Sequence, residues 1–112
     1  MRLFDRVYVI RRTPAGVTCT VDGRPLDPRL DLRNHSPSGF EFGYGGSGPA
    51  QLALAILADC CDEATALECY QAFKWSVVSR IQLAGFDLTA TQIHDVVAAI
   101  RADRSAAHYR NN

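Results

Sequence analysis

Residues 43–49 read Gly-Tyr-Gly-Gly-Ser-Gly-Pro and hold four of the eight glycines in the chain. Regular helix or strand is unfavourable at this glycine density, because glycine loses more backbone entropy on folding than any other residue. Pro49 suits the first turn of a helix, where its missing N–H is not needed. This glycine loop (residues 43–49) therefore predicts a sharp turn, with a strand before it and a helix after it.

The N-terminal part of the chain predicts a β-hairpin. Residues 6–12 are rich in β-branched and aromatic side chains, which favours a strand. Residues 17–21 alternate with a period of two, so that one face carries Val17, Cys19 and Val21. Pro14 in the connection and Asp22-Gly23 after the second strand are turn signals.

Between this hairpin and the glycine loop, residues 24–39 contain three prolines and predict an irregular segment. We expect this segment to be fixed to the core by Leu26, Leu30 and Leu32. Residues 40–44 predict a third short strand, whose one face carries Phe40, Phe42 and Tyr44.

Three helices are predicted after the loop. The first begins near Gly48 or Pro49 and ends at about Cys60, with Ser47 or Gly48 as its cap and Gln51 reaching back to a free N–H. The second covers residues 62–82 and starts with two carboxylates, which the helix dipole favours. It presents an apolar stripe of Leu67, Tyr70, Phe73, Val77 and Ile81.

The third helix begins after Thr89 and Gln92, which have the spacing of a capping box. Its buried side is predicted to be Ile93, Val96, Val97 and Ile100. The fold class is therefore α+β: a small antiparallel sheet of about three strands followed by three helices packed on one face. We expect one domain over residues 1–112, with an ordered core over about 5–104 and a flexible tail over 105–112.

The glycine loop fails three catalytic motifs. Its glycines match G-x-G-x-x-G, but no βαβ unit follows. They also match the glycines of a P-loop, but Pro49 and Ala50 stand where that motif needs Lys and Ser or Thr. Ser47 lacks the second glycine of a nucleophile elbow. We therefore expect no enzyme, no catalytic residue and no cofactor.

Three interpretations of the loop stay open: a structural turn, an anion site built from backbone N–H groups, or a protein-contact loop. His35 could act as a general base, but a local hydrogen bond in a turn is the simpler interpretation. Trp75 lies off the apolar stripe of its helix. Packing against the hairpin or the third helix is the simpler interpretation, and partial exposure, the alternative, would make it a candidate interface anchor. The candidate binding residues are His35, Glu41, Tyr44, Gly45, Gly46, Ser47, Gln51, Lys74 and Trp75.

The chain has 12 basic and 12 acidic residues, which excludes a polybasic protein. The charges are nevertheless segregated, because residues 34–72 carry five carboxylates and no Lys or Arg, while both flanking segments are net positive. This pattern suggests an Arg-rich face and an acidic face. No helix has the basic character of a DNA-recognition helix, so nucleic acid is not an expected partner.

The four cysteines, Cys19, Cys60, Cys61 and Cys69, are interpreted as buried reduced thiols. A redox role for Cys60 and Cys61 is an alternative. Zinc is disfavoured because there is no C-x-x-C and the histidines are scattered at 35, 94 and 108, so no metal is expected. A secretory signal and a membrane-length apolar run are missing from the sequence, which favours the cytoplasm and no membrane partner.

Residues 34–57, from Asn-His-Ser-Pro through the glycine loop to Ala-Ile-Leu, resemble a small bacterial domain family of unknown function. The resemblance extends over roughly residues 6–98 and includes residues 70–74. Phe42 departs from it, because related sequences tend to have Trp there. The resemblance implies short stand-alone proteins carried on phages, plasmids and other mobile elements, and it implies no catalytic residue.

These observations favour a small non-enzymatic protein that binds an unidentified host or phage protein, as an inhibitor of a host defence system would. The alternative is a binder of a phosphorylated small molecule or nucleotide through the glycine loop. A homodimer through a sheet edge or the second helix is also expected.

Overall fold

The computed structural model describes the backbone of residues 5–110 and the side chains of residues 5–105. Strands β1 to β4 and helices α1 to α3 follow one another with one short 3₁₀ helix among them. The elements are β1 (Val7–Thr13), β2 (Gly16–Val21), β3 (Arg24–Pro25), α1 (Ser47–Cys60), α2 (Glu63–Ser76), the 3₁₀ helix (Val78–Arg80), β4 (Gly85–Thr89) and α3 (Ala90–Arg110).

The fold is α+β, as predicted, with one strand more than the sequence suggested. The sheet is antiparallel throughout, with strand order β3-β2-β1-β4. The predicted hairpin is confirmed, since Tyr8 pairs with Val21 and Ile10 with Cys19. These four side chains are buried and form the sheet's contribution to the core. Among the described residues, no helix combines the length and apolar character that crossing a bilayer requires.

Strand β4 is the element that the sequence analysis missed. The second helix was predicted to reach residue 82, which is wrong: α2 ends at Ser76, and the chain returns to the sheet beside β1. Phe86 and Leu88 pack against the core, while Asp87 between them is exposed. Gly85 permits the close pairing, because a Cβ there would lie 2.4 Å from the carbonyl oxygen of Ile10.

The third strand predicted over residues 40–44 is also wrong. Only Phe40 makes a bridge, to Val17 of β2. Gly43 has a φ of +91°, and its N–H donates to the carbonyl of Val78 at 2.9 Å rather than to a neighbouring strand. The chain therefore turns away from the sheet, which buries Phe42 but leaves Tyr44 53% exposed instead of on the same face.

Helix α1 lies in the middle of the structure, and every residue from Gly48 to Leu57 is buried. This explains why the helix has no charge before Asp59, since an unpaired charge in the core is costly. Its predicted start is confirmed within two residues, although the N-cap is Gly46 rather than Ser47 or Gly48.

Side-chain caps stabilise the N-termini of the other two helices, α2 and α3. The Asp62 carboxylate accepts a hydrogen bond from the N–H of Thr65 at the start of α2. The predicted capping box of α3 is confirmed by reciprocal bonds of 2.9 and 3.1 Å between Thr89 and Gln92. Ile93 and Val97 are buried, as predicted, and Val96 and Ile100 pack at the margin of the core. The backbone of α3 stays helical to Arg110, beyond the predicted core boundary at 104.

One side chain fixes the irregular segment between β3 and the glycine loop. Gln51 of α1 is fully buried, and its Oε1 accepts hydrogen bonds from the N–H groups of His35 and Ser36, at 2.8 and 3.1 Å. Its Nε2 donates to the carbonyl oxygens of Pro28 and Arg33, at 2.6 and 3.1 Å. The expectation that Gln51 caps its own helix is therefore wrong.

Leucine contacts contribute less to holding this segment than expected. Leu26 is buried and Leu32 packs against the core, but Leu30 is 36% exposed. Because the segment contributes few apolar side chains to the core, the four hydrogen bonds of Gln51 are the main specific connection between it and α1.

Replacing Gln51 with Leu keeps the volume and removes all four hydrogen bonds. Because each buried polar group without a partner costs about 1–3 kcal/mol and some of these groups can reach water, we expect the free energy of unfolding to fall by about 3 kcal/mol. Urea denaturation measures this loss. Gln71→Leu on the exposed side of α2 is the control; equal losses in the two variants would contradict the role given to Gln51.

Candidate functional site

The glycine loop is held against the C-terminal end of α2. The N–H of Gly43 bonds to Val78, and Trp75 lies directly over Gly45, where an added Cβ would be 2.1 Å from Cη2 of the indole. Gly45 has no positive φ, so a larger residue at this position would displace the indole of Trp75 rather than strain the backbone.

Lys74 connects the two sides of this contact. Its side chain is buried, and Nζ donates to the carbonyl oxygen of Gly45 at 3.3 Å. The same ammonium lies 4.4 Å from the centroid of the Trp75 ring, a cation–π geometry. The indole is therefore held in position even though it is 57% exposed. The simpler interpretation of Trp75, packing against the hairpin or the third helix, is therefore wrong, and the alternative of partial exposure is the one that the structure shows.

Tyr44 carries the second exposed ring, and it belongs to the glycine loop itself. Its ring lies against Gly46, where a Cβ would be 2.4 Å from Cε2. We call Tyr44, Gly45, Gly46, Lys74 and Trp75 the aromatic loop patch. Five of the nine residues singled out in the sequence therefore lie together on two separate elements, with the rings of Tyr44 and Trp75 exposed, which the spacing alone did not predict.

A cavity of about 400 Å³ opens beside this patch, between the β1–β2 turn and the first turn of α1. Glu41, Tyr44 and Ser47 contribute to its wall. The Glu41 carboxylate pairs with Arg12 at 2.9 Å, and this guanidinium also lies over the ring of Phe42. Among the described residues, no Lys or Arg lines the cavity, so its charge comes from Glu41 and its dipole from the helix N-terminus.

His35 and Gln51 belong to a different part of the molecule. The Nε2 atom of His35 lies 2.7 Å from the hydroxyl of Tyr70 on α2, so the hydrogen bond is long-range rather than local to a turn. Gln51 is fully buried. A binding role for Gln51 is therefore wrong, and the two residues serve the attachment of the irregular segment.

The segregated charges become ion pairs within the fold. Four of the five carboxylates of residues 34–72 pair with arginines of the flanking segments, and the fifth, Asp62, caps α2. The pairs are Arg12–Glu41, Arg6–Asp59, Arg29–Glu63, Arg101–Glu68 and Arg104–Glu68. The arginines and carboxylates that were expected to form an Arg-rich and an acidic face therefore lie in contact with each other. Hydrogen bonds to Asp31 and Glu63 raise the pKa of Arg29.

A cluster that the sequence analysis missed lies where the three helices meet. Cys60 and Cys61 end α1, and His94 of α3 lies with Nε2 3.7 Å from the Cys60 sulfur. The sulfur and ring nitrogen atoms of the three residues are all within 4.8 Å of one another. The interpretation that the histidines are scattered is therefore wrong for His94, since α3 returns to the end of α1.

All four cysteines are free thiols, and Cys19 and Cys69 are buried. Burial, and to a lesser extent the neighbouring Cys61, raises the pKa of Cys60 to about 11. Burial also raises the pKa of Cys61. In the absence of a bound cation both groups are thiols at neutral pH, unlike the low-pKa cysteines that act as redox nucleophiles.

Alkylation kinetics test these thiol pKa values. Burial raises the pKa of Cys60 from an ordinary 9.0 to about 11, so we expect its thiolate fraction near pH 7.5 to be lower by roughly a hundredfold in the folded chain. We expect iodoacetamide to modify Cys60 slowly in the native protein and fast in urea, with a native rate that still rises at pH 10. Peptide mass spectrometry measures both rates; a plateau near pH 8 would show an activated thiol.

Comparison with known proteins places the chain in a family without assigning it an activity. No curated protein and no solved structure matches it. A family model, described as a family of unknown function (DUF6166), matches residues 8–99. This range contains all the described strands except the first residue of β1, and it includes the aromatic loop patch and the Cys60–Cys61–His94 cluster. The chain belongs to this family of unknown function.

Proposed function

We propose that this protein is a small non-enzymatic interaction domain that binds another protein through the aromatic loop patch. The observation that carries the proposal is the pair of exposed rings, Tyr44 and Trp75, on a backbone held by Gly43 and Lys74. Tyr and Trp are the side chains most enriched at energetically important positions of protein interfaces.

The held position of Trp75 supports binding rather than simple exposure. A side chain that is already immobilised loses less conformational entropy when a partner covers it. Lys74 keeps the indole in one place through the carbonyl of Gly45 and the cation–π contact. A partner would thus meet a preorganised aromatic surface.

The partner we propose is a protein of the host cell or of a phage, and inhibition of a host defence system is the role that fits a domain carried on mobile elements. This choice rests on the family resemblance and on the aromatic loop patch together. A second copy of this chain is the other partner that the aromatic loop patch could bind.

A phosphorylated ligand at the glycine loop has less support. Glu41 lines the cavity beside the N-terminus of α1, and Arg12 is paired with its carboxylate. A phosphate placed there would face a like charge and would find no free cation among the described lining residues.

The aromatic loop patch can be tested by capture and reconstitution. We expect Trp75→Ala and Tyr44→Ala each to weaken binding of the captured partner by about tenfold or more, as for interface anchors. Gly45→Ala keeps both rings but displaces the indole, so it should weaken binding as well. Affinity is measured by calorimetry with the purified partner, and sedimentation of the chain alone detects self-association.

The matched control is Leu30→Ala, which removes an exposed apolar side chain elsewhere on the surface. Leu30 follows Arg29, which pairs with Glu63 at the opposite end of α2 from Trp75. Circular dichroism checks that every variant is folded, because Gly45→Ala and Trp75→Ala also disturb the contact between the loop and α2. Binding that survives both aromatic substitutions, or that Leu30→Ala weakens equally, would refute the patch.

Thermal shift with inorganic phosphate and with nucleoside triphosphates separates the two functions. We expect no ligand-dependent rise in the melting temperature, because Glu41 opposes an anion at α1. Glu41→Gln serves as the companion variant, since it removes the opposing charge. A rise in the parent protein at millimolar ligand would instead support the phosphorylated ligand.

A further inference from the structure

The Cys60–Cys61–His94 cluster has the donor chemistry of a metal site. Its three donors come from the end of α1 and the second turn of α3, so they are distant in sequence and adjacent in space. Two thiolates and one imidazole form a ligand set that favours Zn²⁺ over harder cations, which bind oxygen ligands instead.

The distances in the cluster suit a tetrahedral ion. Zn–S bonds of about 2.3 Å and Zn–N bonds of about 2.0–2.1 Å place neighbouring S and N ligand atoms about 3.6 Å apart. The Cys60 sulfur and Nε2 of His94 are 3.7 Å apart, and the Cys61 sulfur lies within 4.8 Å of both. Side-chain rotation of Cys61 is the main adjustment required.

Polar groups surround the cluster in the manner of outer-shell partners. The Tyr8 hydroxyl donates at 2.5 Å to the carboxylate of Asp59, the residue before Cys60, and Arg6 binds the same carboxylate at 2.7 Å. On the other side, Arg101 lies close enough to Cys61 to interact with its charge. Such neighbours orient ligands and tune their basicity.

We propose that Cys60, Cys61 and His94 bind one Zn²⁺ per chain, with a water molecule in the fourth position. His94 is exposed while the two cysteines are half-buried, so the fourth position faces solvent. Each cysteine loses its thiol proton to water on binding, the imidazole binds in its neutral form, and no electron is transferred. The ion connects the end of α1 to the start of α3 and so stabilises the packing of the helices.

Cobalt is the spectroscopic probe for this site. The full chain, reduced and freed of metal by chelation, is titrated with Co²⁺ and then with Zn²⁺. We expect one Co²⁺ per chain with the visible absorption of a tetrahedral thiolate complex, displaced by one Zn²⁺. Saturation with Zn²⁺ should also raise the melting temperature, because the ion binds the folded chain in preference to the unfolded one.

Variants locate the ion. Cys61→Ser should abolish the thiolate absorption, and His94→Gln should weaken Zn²⁺ binding at least tenfold. His94 is exposed, so this variant keeps its fold, as circular dichroism without metal would show. The controls Cys19→Ala and His35→Gln replace the same residue types outside the cluster. Failure to bind one ion per chain, or binding unaffected by His94→Gln, would overturn the proposal.

Discussion

The attachment of the irregular segment to α1 through one buried amide is the constraint on which the rest of the structure depends. Gln51 satisfies two donors and two acceptors of a segment that has few core contacts of its own. An amide is the only side-chain group that offers both a donor pair and an acceptor in a neutral form. The segment in turn leads into Phe42 and the glycine loop, so the position of the exposed rings follows from this interaction deep in the core.

Ion pairs at the surface of the fold also connect segments that are distant in sequence. The carboxylates of the middle segment meet arginines from both ends of the chain, so the ion pairs join parts that are far apart in sequence. Individual exposed pairs contribute little to stability. Their collective effect is to disfavour arrangements in which like charges of one segment would meet, which is a contribution to specificity more than to strength.

The hairpin, the start of α1 and the capping box of α3 were predictable because their signals are local: alternation, a proline and a reciprocal pair of side chains. Strand β4 was missed although Phe86, Asp87 and Leu88 alternate, because residues 83–88 were left as a short connection between two predicted helices and the strand depends on its pairing with β1. The strand over residues 40–44 failed because Gly43 adopts a positive φ. Of the candidate site, helical geometry placed Trp75 off the apolar stripe of α2 but left its exposure open. Its contact with Gly45 and the approach of His94 to Cys60 depend on tertiary packing, which no local pattern contains.

The pairing of β1 with β4 has a consequence for the order of folding. Residues 7–11 of the central strand find one partner within the hairpin but the other only at residues 85–89. Loop closure over such a separation is slow compared with hairpin formation. During synthesis one edge of β1 therefore stays unpaired until β4 has left the ribosome. Arg11 and Arg12 near the end of that edge carry charge that opposes premature pairing with other nascent chains.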